Sequence, residues 1–170
     1  MKRRSRIYDI RFMQSLFPAA EAEAAAMGEK EPGAEHLILA TLDFQEGSAR
    51  RVFERIGADP DQFRDAVASQ HAAALRSIGI EEDGAAIDEK IPLTPERPNS
   101  VYRSAPSARH VFPEVVKLVK RDKSRLSGAY ILLVSSQMEY GTTARALDAM
   151  GIDREELAVA AQAEVNALNA

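Results

Sequence analysis

A short phrase that occurs twice in this chain, 94 residues apart, is the feature that most constrains its fold. Gly-Ala-Asp-Pro-Asp-Gln-Phe at residues 57–63 returns as Gly-Ile-Asp-Arg-Glu-Glu-Leu at residues 151–157. In each copy the glycine can end one helix in a left-handed conformation, and the aspartate can cap the next helix. Gln62 or Glu156, three residues later, is placed to bond back to that cap. The chain is therefore predicted to use one helical motif twice, and the functional question becomes what surface two copies build.

The composition favours one helical domain. The 170 residues are 45% hydrophobic and 6% aromatic, with abundant alanine. A chain of this length can bury one core, and alanine favours helix over strand. We expect a single all-α domain over residues 1–170, a pseudo-twofold pair of four-helix repeats with about eight helices.

Charge and cysteine content exclude several classes of function. A formal charge of −4 gives no general attraction for nucleic acid or for an anionic membrane. The basic residues at the start of the chain are interpreted as a solvated terminus, with a small binding site as the alternative: Lys2, Arg3, Arg4 and Arg6. The absence of cysteine excludes disulfides, thiolate catalysis and cysteine-bound metals. Apolar runs such as residues 131–134 are too short to span a bilayer, and no secretory leader follows the basic residues, so a cytoplasmic protein is expected.

The first copy, over residues 10–75, is predicted to contain four helices. Three of them cover residues 16–27, 35–42 and 49–56, and the fourth follows the cap at Asp59. The second of these is apolar on most sides, which is typical of a helix in the middle of a bundle.

The second copy, over residues 107–168, follows the same order with a change of register. Ser107 is predicted to cap a helix over residues 108–119. The glycines and the aspartate near the ends of the later helices recur 94 residues further on in the second copy. Phe17-Pro18, in contrast, lies 95 residues before Phe112-Pro113. One residue was therefore gained or lost near the start of the second helix. Each first helix should kink at its proline or start anew there, because proline lacks the backbone donor.

The two copies are separated by a predicted linker over residues 76–106. Prolines and glycines among polar residues replace the helical pattern there, and three prolines fall within residues 92–98. Such a segment favours extended backbone. It is interpreted as a connector, with a docked recognition segment as the alternative.

These residues resemble a known family. Glu-Ala-Ala-Ala-Met-Gly at residues 23–28, followed after four residues by Gly-Ala-Glu-His-Leu-Ile-Leu-Ala at residues 33–40, resembles the first repeat of the amino-terminal domain of Clp-type AAA+ unfoldases, the ClpA and ClpC class. In that family a repeat carries Gly-Thr-Glu-His-Leu/Ile-Leu-Leu, and two four-helix repeats form one all-α domain. The resemblance covers residues 10–75 well and residues 105–165 more loosely.

The resemblance implies a non-catalytic module that binds protein or peptide. In the parent unfoldases this domain receives substrates and adaptors and passes them to an ATP-driven ring. No Gly-x-x-x-x-Gly-Lys-Ser/Thr occurs in this sequence, so neither ATP nor another cofactor is expected. The chain is interpreted as a free-standing version without ATPase modules.

Glu35 is the leading site candidate that the resemblance gives. In some ClpC-like members the glutamate of this motif helps to bind phosphorylated arginine on substrates, and a helix start suits both an anion and a carboxylate–guanidinium pair. This chain has Ala34 where the family has threonine, and the second copy has Ala129 or Tyr130 in place of the glutamate. A symmetric pair of phosphoarginine sites is therefore not expected. The candidate ligand-binding residues are Ala34, Glu35, His36 and Tyr130.

Each candidate also has a structural interpretation. Glu35 would complement the helix dipole as a first-turn carboxylate. His36 would be a packing residue, and no metal site is expected because His71 and His110 lie in other segments without ligand spacing. Tyr130 would either fill the lost pocket with its ring or present its hydroxyl at the surface.

Catalysis is not expected, because no nucleophile has an evident base and the paired carboxylates do not share a helix face. Two non-catalytic functions remain. The protein is a stand-alone substrate receptor or decoy in protein quality control, or it is a regulatory protein that docks on the Clp machine or another partner without a substrate site. Loss of ligand binding on Glu35→Ala substitution would favour the receptor.

A basic cluster near the end of the second copy's first helix offers a further contact for an acidic partner, although a solvated face explains it too: Lys117, Lys120, Arg121, Lys123 and Arg125.

Overall fold

The computed structural model describes residues 2–79 and 104–170, and within these ranges the secondary structure is entirely helical. The first copy contains α1 (Lys2–Ala26), α2 (Ala34–Leu42), α3 (Ser48–Arg55) and α4 (Asp61–Ser77). The second contains α5 (Pro106–Asp122), α6 (Gly128–Ser135), α7 (Thr142–Ala149) and α8 (Arg154–Asn169). The predicted all-α class and the four helices of each copy are confirmed.

The first helix of each copy runs through its proline. Pro18 lies inside α1 and Pro113 inside α5, so the predicted fresh start at the proline is wrong in both copies. The preceding phenylalanines Phe17 and Phe112 are both buried, and their rings meet edge to face with centroids 4.9 Å apart. This contact between the repeats holds both helical segments in place.

The repeated glycines end helices as predicted, whereas the predicted aspartate cap is found at Asp153 and not at Asp59. Gly57 and Gly151 have φ of 68° and 70°, in the left-handed region. The Asp153 carboxylate accepts from the Glu155 N–H at 2.7 Å, and Asp59 accepts from the Asp61 N–H at 2.9 Å. Both glycines end a helix, and Asp153 caps α8, but the N-cap of α4 is Pro60, so Asp59 lies one residue before the cap.

Two short helices lie at the centre of the molecule. Every residue of α2 and of α6 is buried, which confirms the predicted central helix. The two helices contact each other, α1 packs on α2, and α5 packs on α6. The repeats also meet through α3 with α8 and through α4 with α7. One core therefore serves both copies.

Each central helix begins with bonds supplied by the other repeat. The predicted role of Ser107 as the cap of its own helix is wrong, because α5 already begins at Pro106 and the Ser107 hydroxyl accepts from the Ala34 N–H at 3.1 Å. At the start of α6, the Ala129 N–H donates to the Ser48 hydroxyl at 2.9 Å. At least one of the first backbone donors of each buried helix is thus satisfied across the repeat interface.

The predicted linker falls mostly outside the described residues. Its edges are helical, since α4 continues to Ser77 and α5 begins at Pro106. The interpretation of residues 80–103 as a connector stays a prediction. In the part of the chain that the structure describes, no helix has the length and apolar character needed to cross a membrane.

Candidate functional site

The helix starts fix the register between the two copies. Helices α2 and α6 begin at Ala34 and Gly128, a separation of 94 residues that α3 and α7 repeat. The one-residue change therefore lies before the central helices. In the second copy, Ala129 is therefore the equivalent of Glu35, and Tyr130 is the equivalent of His36.

Glu35 faces inward rather than toward an open pocket. It is 7% exposed, and its carboxylate accepts from the Thr143 hydroxyl of α7 at 3.1 Å. The other carboxylate oxygen lies over Gly33, where a Cβ would come within 2.3 Å of it. In this conformation the carboxylate joins the two repeats and is not presented to a guanidinium from solvent.

His36 lies beside Glu35 and meets His71 of α4. The His36 ring is 1% exposed, and its Nδ1 accepts from the Gly33 N–H at 2.9 Å. It stacks on the His71 ring with centroids 5.7 Å apart. Burial lowers the pKa of His36, although the neighbouring Glu35 carboxylate opposes that shift. The structure thus brings together two histidines that the sequence places in separate segments.

Ala34 and Tyr130 are also core residues. Both are fully buried. The Tyr130 ring fills the space beside α6, and its hydroxyl donates to the Asp122 carboxylate at 3.0 Å and accepts from the Asn169 amide at 3.3 Å. Burial raises the pKa of Tyr130. Of the two orientations considered for this side chain, the structure has the one with the ring buried.

A carboxylate of the chain itself occupies the start of α6. Glu46 accepts from the Gly128 N–H at 2.7 Å and from the Ser48 hydroxyl at 2.8 Å. This is the position at a helix N-terminus where an external anion would otherwise bind. The second copy therefore uses its anion-binding backbone for an internal contact.

A large concave surface among the described residues lies away from these residues. A groove of about 1130 Å³ runs between the first part of α1, the ends of α5 and α8, and the loop before α6. Apolar side chains contribute to it from three of these segments: Val119, Leu126 and Leu168. It combines an apolar lining with charged residues at its edge, as peptide-binding grooves do.

Positive charge dominates this groove. Four cations line it, namely Arg6, Lys120, Lys123 and Arg125, against two carboxylates. Both carboxylates are held by backbone N–H groups: Asp9 accepts from Leu126 at 2.9 Å, and Glu46 accepts from Gly128. Three of the five basic residues predicted as a cluster thus line the groove. Of the other two, Lys117 pairs with Glu114 and Arg121 pairs with Asp122.

Lys123 has an unusual backbone conformation at this groove. Its φ is 52°, in the left-handed region, where α5 ends and the Ser124 N–H bonds to the Val119 carbonyl at 3.1 Å. Glycine or asparagine is the usual residue at this position of a helix end. In this chain the position is a lysine, whose side chain brings strain in this conformation.

Sequence reasoning missed the residues that join the repeats. These are polar residues near helix starts, which the sequence alone would assign to capping of their own helices: Glu46, Ser48 and Thr143. Their partners lie 82, 81 and 108 residues away in the chain. Two sequence signals pointed to the groove: the basic cluster, and Arg6 of the basic residues at the start of the chain.

Comparisons with known proteins agree with this architecture. The family model described as "Clp repeat (R) N-terminal domain" matches residues 11–111. The N-terminal domain of the chaperone ClpD from Arabidopsis thaliana has a similar structure, with a TM-score of 0.54 at 22% identity, covering 94% of this chain and 91% of that one. That likeness concerns the fold.

Curated relatives share part of the sequence. Chaperone protein ClpC1, chloroplastic, of Oryza sativa subsp. japonica is 35% identical over 74 residues, 44% of this chain. The ClpA homolog CD4B, chloroplastic, of Solanum lycopersicum, an ATP-binding subunit of the ATP-dependent Clp protease, shows the same identity over the same length. The matched segment spans 8% of each relative's length. Since the family model covers more than half of the chain, this protein belongs to the family of Clp repeat N-terminal domains.

Proposed function

We propose that this domain is a receptor or decoy for protein and peptide ligands of Clp-type unfoldases, and that it binds them in the basic groove rather than at Glu35. The observation that carries the proposal is the groove itself, which is large, apolar in its lining and lined by four cations. Its chemistry suits an extended peptide with apolar anchors and acidic residues.

Glu35→Ala is not a clean test of this function. Its carboxylate accepts from Thr143 across the repeat interface, so the substitution removes a structural bond as well as a candidate ligand contact. The groove offers better positions, because Lys120 and Lys123 line it while Lys117 on the same helix does not.

The first prediction concerns Lys123→Gly. Glycine relieves the left-handed conformation at φ 52°, so we expect the free energy of unfolding to stay unchanged or to rise slightly. Removal of the charge is expected to weaken binding about two- to fivefold, as for other exposed charge contacts, and to make it less salt-dependent. Fluorescence anisotropy of a labelled, unstructured peptide rich in leucine and glutamate measures the affinity.

Lys117→Gln is the matched control. This lysine is exposed and pairs with Glu114 outside the groove. Equal peptide affinity for Lys123→Gly, Lys120→Gln and Lys117→Gln would contradict the proposed binding surface. Affinity capture with the same variants separates the two functions. A receptor loses many unrelated polypeptides when the groove is altered, whereas a regulator keeps a few stoichiometric partners, such as Clp subunits.

A further inference from the structure

One part of the outer surface differs between the two copies. In the first copy, ion pairs join α1, the end of α2 and α4. Arg64 of α4 donates two hydrogen bonds to the Glu23 carboxylate of α1 and lies 3.6 Å from Asp43, which ends α2. Charged side chains therefore hold the outer helices of the first copy together at this place.

The second copy has uncharged residues at the equivalent positions. These lie 95 residues further on in α5 and 94 residues further on elsewhere, and they are Leu118, Gln137 and Ala158. Two of them, Leu118 and Gln137, line a groove of about 230 Å³ between α5 and the end of α6, here called the α5–α6 groove. The full lining is His110, Glu114, Leu118, Val134, Gln137 and Met138. Where the first copy has ion pairs, the second copy thus has a partly apolar groove.

A large aromatic side chain stands beside the α5–α6 groove. Tyr140 follows Met138 by two residues and is 82% exposed, the highest value among the exposed large hydrophobic side chains of the described residues. The equivalent residue of the first copy is Glu46, a charged residue bonded to the start of α6. Tyrosine combines a large apolar ring with a polar hydroxyl, so it is enriched where protein surfaces meet.

The size of the α5–α6 groove suits a side chain rather than a ligand molecule. Pockets that bind drug-sized ligands measure about 300–1,000 Å³, and this groove is smaller. An exposed ring and a groove able to take a ring therefore lie next to each other on one face. A twofold contact between identical chains requires this arrangement, because each copy inserts its own side chain into the groove of the other.

The charges around the groove also favour a second copy of the chain. Glu114 pairs with Lys117 at 2.5 Å, and Arg154 donates to the Met138 carbonyl and lies 3.9 Å from Asp148. None of the four cations of the basic groove lines the α5–α6 groove. Because these bordering charges are already paired, neither an acidic nor a basic ligand is attracted, and two copies meet with little repulsion at this face.

We propose that this chain forms a twofold-symmetric dimer through this face, with Tyr140 of each copy in the α5–α6 groove of the other, against Leu118, Val134 and Met138. The dimer is weak and reversible, because a contact built around one side chain per copy falls short of the about 1,200–2,000 Å² that stable interfaces bury. The inference does not rest on the proposed function, since the two grooves share no lining residue.

The test is sedimentation velocity of the full chain from micromolar to millimolar concentrations, where we expect a reversible monomer–dimer equilibrium. Tyr140→Ser should weaken dimerisation about tenfold or more, as for an aromatic residue at the centre of an interface. Leu118→Glu, which gives the groove the charge found at Glu23, should weaken it similarly. Ile78→Ser is the matched control, because that side chain is 70% exposed at the end of α4, outside the groove, and its loss should change nothing.

A mixture of two variants tests the exchange of side chains directly. Tyr140→Ser keeps an intact groove, and Leu118→Glu keeps its tyrosine, so the mixed dimer regains one of the two contacts. The mixture should therefore associate more strongly than either variant alone. Higher salt should strengthen the parent dimer, because each chain carries a net charge of −4 and Glu139 beside Tyr140 is exposed.

Three results would overturn the dimer. The parent chain could stay monomeric at the highest concentration, Tyr140→Ser could dimerise as well as Ile78→Ser, or the mixture could associate no better than its components. A monomeric parent whose Tyr140→Ser variant loses affinity for an apolar, uncharged peptide would instead make this face a ligand site. Peptide binding in the basic groove should be the same for Tyr140→Ser and the parent, so the dimer and the proposed function can fail separately.

Discussion

Glu164 is a buried carboxylate of α8 that binds two arginines of the other repeat. Its side chain is 3% exposed, and it accepts from Arg51 at 2.5 Å and from Arg55 at 2.9 Å. Burial by itself would raise the pKa of Glu164, but the hydrogen bonds from the arginines outweigh it and hold the pKa below its ordinary value. A buried carboxylate is costly to leave without a partner. Removal of its charge would in turn leave the two arginines without theirs.

We predict that Glu164→Gln lowers the free energy of unfolding at pH 7 by about 1–2 kcal/mol, a value reduced from that of fully buried pairs because both arginines are partly exposed. The folded pKa is depressed, so this contribution is complete above the unfolded value near 4.5 and is lost as the pH falls through the folded pKa. Urea titrations at several pH values measure the difference between the two chains. A difference that is constant from pH 7 to about pH 3 would contradict the assignment.

At the scale of the element, the start of α6 is closely packed against the first repeat. A Cβ added at Gly128 would lie 2.8 Å from the Ala49 Cβ and 3.0 Å from the Thr41 Cβ. Neither neighbour is the end of a flexible side chain. The matching position of α2 is Ala34, so the requirement for glycine comes from the packing of α6 against α2 and α3 and not from its place in a helix.

We predict that Gly128→Ala destabilises the protein by about 1–3 kcal/mol, the usual cost of overpacking a core. Removal of the opposing methyl group in the double variant Gly128→Ala with Ala49→Gly should recover part of that loss. Urea unfolding of the two single variants and the double variant measures both effects. Additive losses in the double variant would show that the two positions do not clash.

On the scale of the whole molecule, each repeat supplies side-chain bonds to the central helix of the other. Ser107 of the second copy caps α2, and Ser48 and Glu46 of the first copy cap α6. Each central helix thus has at least one of its first backbone donors bonded to a side chain of the other copy. The duplication visible in the sequence is therefore not a pair of independent domains.

We predict that unfolding is a single cooperative transition. Far-UV circular dichroism and tyrosine fluorescence should give the same midpoint in urea, because loss of one repeat removes the caps of the other. Ser48→Ala, which removes one cap, should shift both curves equally. Two separated transitions, or a shift seen by one probe alone, would show that the repeats unfold independently.

The helices and their order could be predicted from the sequence. The apolar pattern of α2 indicated a central helix, and the glycines and aspartates at 57, 59, 151 and 153 marked where helices end and begin. These signals depend on residues within about one helical turn, so they can be recognised without knowledge of the rest of the fold. The family resemblance rested on the same local residues and was confirmed.

The candidate site could be predicted only in part. Ala34, Glu35, His36 and Tyr130 were named, and their role in ligand binding stays a prediction. Packing was foreseen as an alternative for His36 and Tyr130, but the inward orientation of the Glu35 carboxylate was not. The stacking of His71 on His36 and the Thr143 bond to Glu35 join segments far apart in the chain. The sequence by itself determined the family, the helices and the duplication, because those depend on neighbouring residues. Only the tertiary structure decided which distant side chains meet, because packing of the repeats sets those distances.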